Sequence, residues 1–156
     1  MNRISYKRPI SKIKFIYGIG LFLIGILSID TPFCILFFGV GLYFFYTDGI
    51  EIELTNKKYR NTINLLGLTF GKWKAFPEIE YVSVFKTTQT TRVWVSTASA
   101  NVTTTVIKVN LFYNTNQKIE AFETNNIDKA FDIAKQIATA LKIDVLDATT
   151  RDTKWL

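Results

Sequence analysis

Hydrophobic and polar positions change their spacing along the chain. Residues 15–29 and 33–46 form two uncharged apolar runs, separated by Asp30, Thr31 and Pro32. Neither run carries the polar stripe of an amphipathic surface helix. The second has seven aromatics in fourteen positions. From residue 50 the period becomes two, with Ile50, Ile52 and Leu54 alternating with Glu51, Glu53 and Thr55, the pattern of a half-buried strand with outward-facing acids. Asn56, Lys57 and Lys58 suit a turn, a second strand covers 59–66, and Gly67 breaks it. Strand patterns follow at 68–76, 81–85, 93–95, 106–113 and 118–123. Spacings of three and four then return at Ile127, Ala130, Phe131, Ala134, Ile137, Ala138 and Leu141 behind the N-cap candidate Asn126, which predicts one amphipathic helix.

The apolar runs predict a transmembrane helical hairpin over 15–47. A spanning helix needs roughly 20 apolar residues, and Lys12 and Lys14 can lay their stems on apolar surface to lengthen the first run towards Ile10. Pro32 suits a first helical turn, with Thr31 or Asp30 as cap. Gly18, Gly20 and Gly25 would pack against Gly39 and Gly41. No Ala occurs between residues 15 and 47, so the small-residue cleavage site of a secretory signal is missing there.

Charge sharpens this expectation. The 19 Lys and Arg outnumber the 13 Asp and Glu, yet Arg3, Lys7, Arg8, Lys12 and Lys14 stand together in residues 1–14 without an acid. A basic flank beside an apolar hairpin is retained on the cytoplasmic side, which predicts cytoplasmic termini. Nucleic-acid binding would require a basic stripe on the folded portion, and the remaining charges are nearly balanced.

The chemistry available is narrow. The chain has no His and one Cys, which removes His-based triads, His-ligated haem and thiolate zinc cages. Cys34 lies within an apolar run and reads as a small hydrophobe. No phosphate-cradling glycine fingerprint occurs. The expectation is a non-enzymatic protein with no cofactor, no metal site and no catalytic residues.

The stretch from Gly49 through Arg60, the stretch Gly71, Lys72, Trp73, Lys74, Ala75, Phe76, Pro77, Glu78 and Ile79, and the closing helix together resemble the membrane-anchored bacterial proteins with a pleckstrin-homology-like domain. That resemblance implies a membrane α-helical hairpin followed by an α+β, mainly-β barrel of about seven antiparallel strands capped by one C-terminal helix. The corresponding divisions are a basic flank at 1–14, the hairpin at 15–47, the β-domain at 48–143 and a tail at 144–156. It also implies a multi-pass protein of the bacterial inner membrane, in which the domain serves as an interaction module or accessory subunit of a membrane protein complex. Its partners would be membrane lipid together with another protein or a second copy.

Candidate contacts follow. Lys57, Lys58 and Arg60 surround the first hairpin, where lipid-binding relatives of the resembled fold hold phosphate-contacting bases; they either attract anionic headgroups or decorate a solvated turn. Lys72 and Lys74 flank Trp73, either as an interfacial foot or around a packed indole. Residues 86–105 contain eight Thr and only Lys86 and Arg92 as charges. This segment is either a long hairpin with its tip near 98–101 that docks a protein through Arg92 and Trp94, or a solvated loop.

Overall fold

The computed structural model describes residues 3–95 and 98–156, with the backbone alone for 91–95 and 98–102. Its elements are β1 (Arg3–Lys7), α1 (Lys12–Leu27), α2 (Phe33–Phe44), β2 (Thr47–Glu53), β3 (Lys58–Leu65), β4 (Leu68–Phe70), β5 (Lys74–Ala75), β6 (Ile79–Val95), β7 (Ala98–Tyr113), β8 (Gln117–Thr124), α3 (Ile127–Leu141), β9 (Asp144–Ala148) and β10 (Lys154–Trp155). The class is α+β with two five-stranded sheets, ordered β1-β2-β3-β4 with β5 also on β3, and β10-β9-β6-β7-β8.

The transmembrane hairpin is not present. Among the described residues no helix is long and apolar enough to cross a membrane. At 1.5 Å per residue, the 16 residues of α1 and 12 of α2 span about 24 and 18 Å against a hydrocarbon core of about 30 Å. α1 stops two residues short of the end of the first apolar run, where the chain turns at 28–32, and the second run outlasts α2, which the chain leaves at Phe45. Thr31 does not cap α2; its hydroxyl donates to the Ser28 carbonyl at 2.9 Å, closing α1 instead. This finding overturns the resemblance to membrane-anchored pleckstrin-homology-like proteins, the barrel-plus-membrane-hairpin fold class and the multi-pass inner-membrane localisation. The basic flank is also not a plain tail, since it contributes β1.

Two compact units emerge: Met1–Tyr6, Ile52–Tyr59 and Lys74–Leu156 form one, and Lys7–Glu51 with Arg60–Trp73 the other. In the first, Ile52, Val82, Val84, Val109, Leu111 and Ile137 are fully buried. α3 lies against β6, β7, β8 and β9 through Ala130, Ala134, Ile137 and Ala138, the apolar stripe that its sequence spacing predicts. Asn126 caps it by accepting a hydrogen bond from the Lys129 amide at 3.0 Å. The chain after α3 returns as β9, parallel to β6 from Tyr81↔Asp144 to Phe85↔Ala148. β10 then pairs with β9, so Trp155 folds back and meets the Tyr81 ring edge-on at 5.4 Å.

In the second unit α1 and α2 pack antiparallel by alternating rings and glycines. The positions of a Cβ on Gly18, Gly25 and Gly41 would run into the rings of Phe45, Phe38 and Phe22, so the absent side chains make room for the aromatic ones. β3 and β4 meet through a two-residue turn at Leu66 and Gly67, both with positive φ of 48° and 87°. A polar chain runs beside it: Lys7 Nζ donates to Thr69 Oγ1, Thr69 Oγ1 to Asn64 Oδ1 at 2.8 Å, and Asn64 Nδ2 to Thr62 Oγ1. These bonds accompany the burial of Thr62 and Asn64.

Candidate functional site

The longest regular feature is the β6–β7 ribbon, paired without interruption from Tyr81↔Phe112 to Val95↔Ala98. Thr and Val favour this because β-branched side chains suit the pleated surface. The segment read from sequence as either hairpin or loop is therefore a hairpin in its backbone, and residues 98–101, expected at its tip, instead pair with 92–95. Neighbouring strands support only its base: β9 pairs with β6 as far as Phe85, and β8 with β7 from Ile107 onwards. Residues 86–95 and 98–106 thus pair with each other and leave their outer edges unpaired among the described residues. At about 3.4 Å per residue the two-stranded part runs roughly 30 Å. The side chains of Arg92 and Trp94 lie outside the described residues.

At the root of the ribbon charge is organised. Lys108 Nζ stands 3.1 Å from Glu120 Oε2 and 3.6 Å from Glu123 Oε2, while Gln89 donates to Glu123 at 3.3 Å. Lys118 sits 5.8 Å over the Phe85 ring. These contacts pin the lower ribbon to β8.

The basic candidates divide by environment. Lys57 occupies the turn before β3 in the left-handed region, φ 49°, with its carbonyl accepting from the Phe76 amide at 2.9 Å. Lys58 pairs with Ala75, and Tyr59 with Lys74; stacked Tyr59 and Phe76 rings, 5.4 Å apart, hold this corner. Lys57, Lys58 and Lys74 are exposed there, as is Lys72 in the other unit.

Arg60 is different. Its Nε donates to Glu51 Oε2 at 2.7 Å and its Nη2 approaches the same oxygen at 2.7 Å. The guanidinium lies 4.7 Å over the Trp73 ring. Glu51, an outward-facing acid by alternation, is 8% exposed, and Arg60 is committed to neutralising it. Trp73 serves as the lid of this ion pair while keeping 39% of its surface exposed.

Sequence spacing missed one juxtaposition. Lys57 and Thr55 of the turn face Lys135, Gln136 and Thr139 of α3 across an open cleft of about 700 Å³ floored by Leu54 and Ala140. Two bases and several hydrogen-bond donors line it, without a carboxylate. Lys135 was visible in the sequence only as a polar position of an amphipathic helix. Among the described residues, no three His, Cys, Asp or Glu side chains gather in a way that could hold a metal ion.

Comparison with protein-family models, with curated proteins and with solved structures finds no match to this chain.

Proposed function

We propose that the protein is a non-enzymatic interaction module whose β6–β7 ribbon takes up an extended segment of a protein partner by strand addition. The supporting observation is the pair of unpaired edges along residues 86–95 and 98–106. Each edge offers a row of backbone donors and acceptors to an incoming strand. Natural sheets blunt such edges with charges and Pro, whereas residues 86–105 contain two charges and no Pro. The residue inventory supports the absence of catalysis, since it lacks His and places its one Cys in α2. A photocrosslinking residue at Thr88 on the full chain in its native cells should give one defined protein adduct, abolished when Pro replaces an outward-facing edge residue. No adduct, together with normal growth after excision of 88–105, would refute this function.

The cleft between Lys57 and Lys135 favours a second reading, recognition of an anionic phosphate group. Arg60 drops out of that reading because Glu51 holds it. Vesicles containing anionic lipid should retain the full chain at low salt and lose it as salt is raised. Binding indifferent to both lipid charge and salt would exclude headgroups, and a titration with inorganic phosphate would test the free anion.

A further inference from the structure

α1 carries two seams. The inner one, Phe15, Gly18, Phe22 and Gly25, faces α2. Half a turn away stand Ile13, Ile16, Gly20, Leu23 and Leu27, spaced three, four, three and four, the repeat that packs one helix along another. This outer seam is bare within the protomer. Ile16, Leu23 and Leu27 are 67, 57 and 85% exposed, and a Cβ added at Gly20 would meet nothing within 4 Å.

We infer that the outer seam of α1 is a homodimer interface, in which α1 packs antiparallel on α1 of a second copy about a twofold axis at Gly20. The exposed residues Ile13, Ile16, Ile24 and Leu27 lie symmetrically about it, seven and four positions to either side. Inverting them sets Ile16 against Ile24 of the second copy, Ile13 against Leu27 of the second copy, and Gly20 against itself, where the small residue lets the backbones approach. Residue i meeting j while j meets i is what a closed twofold contact requires. Charge agrees with this direction, because Lys12 at the start of α1 comes level with Ser28 of the second copy, two residues before Asp30, so the basic end of one helix lies beside the acidic end of the other. Parallel packing would set Lys12 against Lys12 and Asp30 against Asp30.

Ile13, Ile16, Leu23, Ile24 and Leu27 are exposed on this face. At roughly 100 Å² for each aliphatic side chain, they offer on the order of 500 Å² per protomer, the size of a reversible dimer contact at the low end of specific interfaces. The polar tip formed by Ser28, Asp30 and Thr31 argues for protein as the occupant, since burying that end in hydrocarbon would strand a carboxylate.

The test uses the full chain. Sedimentation equilibrium should show a dimer whose dissociation constant rises at least tenfold in Gly20→Leu, a substitution that the open space around Gly20 allows within the protomer. With Cys34→Ser as background, Gly20→Cys should form a disulfide-linked dimer on oxidation, while Leu27→Cys should not. Asp30→Lys should weaken the dimer and Lys12→Asp in the same chain should restore it. The proposal is overturned by a monomer at all concentrations, by a dimer indifferent to Gly20→Leu, by efficient crosslinking through Leu27→Cys, or by a monomer that floats with neutral vesicles. None of these outcomes bears on the β6–β7 ribbon, which belongs to the other unit.

Discussion

Arg60 and Glu51 meet through one carboxylate oxygen, with Nε and Nη2 both 2.7 Å from Oε2, and the side chains retain 18 and 10% of their exposure. Charges this far removed from water are tolerated because each neutralises the other, and removing one leaves its partner uncompensated. Arg60→Met should therefore cost about 3 kcal/mol and lower the melting temperature by on the order of 10 °C. The double variant Glu51→Leu/Arg60→Met should recover much of that loss. Urea denaturation of the four members of this cycle checks it; strictly additive losses would show that the pair is not coupled.

The turn at Leu66 and Gly67 invites an improvement. Positive φ at both central residues, 48° and 87°, between paired Leu65 and Leu68 is the type I′ geometry that Asn-Gly satisfies best. Leu66 is 60% exposed, so its side chain does little there to offset the left-handed strain. Leu66→Asn should stabilise the protein by about 1 kcal/mol, seen as a higher urea midpoint at an unchanged slope. Gly71→Ala supplies the contrast. Its Cβ would press on the Asn61 carbonyl oxygen, a backbone atom that cannot swing aside, and the expected loss is about 1–3 kcal/mol.

Asn110 is fully buried in β7, and neither its side-chain oxygen nor its nitrogen has a hydrogen-bond partner among the described residues. It lies at the irregularity between β7 and β8 and pairs in register with Ser83. A buried amide left unsatisfied costs about 1–3 kcal/mol. Leu carries the same number of side-chain heavy atoms without that penalty, so Asn110→Leu should raise stability by about 1 kcal/mol, its bulkier methyl groups offsetting part of the gain. Thermal melts of the two proteins decide it; a loss above 1 kcal/mol would show that the amide is satisfied in solution.

Legibility from sequence followed the range of the interaction that fixes each element. α3 was readable because its stripe and its Asn126 cap lie within one segment, and the break at Gly67 because a two-residue turn is local. Helix length in α1 and α2 was not, since hydropathy marks where the chain is apolar and not how many of those residues stay helical. β1 hid inside a basic flank, where Ile4 and Tyr6 alternate over too few positions to register. β9 was invisible because its partner β6 is some sixty residues distant and parallel. Among the candidate bases, exposure of Lys57 followed from turn chemistry, but the burial of Glu51 and the capture of Arg60 depend on pairing between strands. The cleft of Lys57 and Lys135 depends likewise on where α3 comes to rest.

The ribbon should be separable from the fold that carries it. Its base is held by β8 and β9, by Lys108 with Glu120 and Glu123, and by a core of Val82, Val84, Val109 and Leu111 beneath α3, none of which uses residues 88–105. Thr87 and Val106 face each other in register, so replacing 88–105 with Asn-Gly closes the hairpin by the shortest favoured turn. Shortening the loop also reduces the chain entropy lost on folding, though only slowly with length. The excised protein should keep its melting temperature within about 3 °C, a shift equivalent to about 1 kcal/mol at this size. A collapse in stability on excision would mean that the ribbon is part of the folding core, leaving its unpaired edges without the independence that partner docking needs.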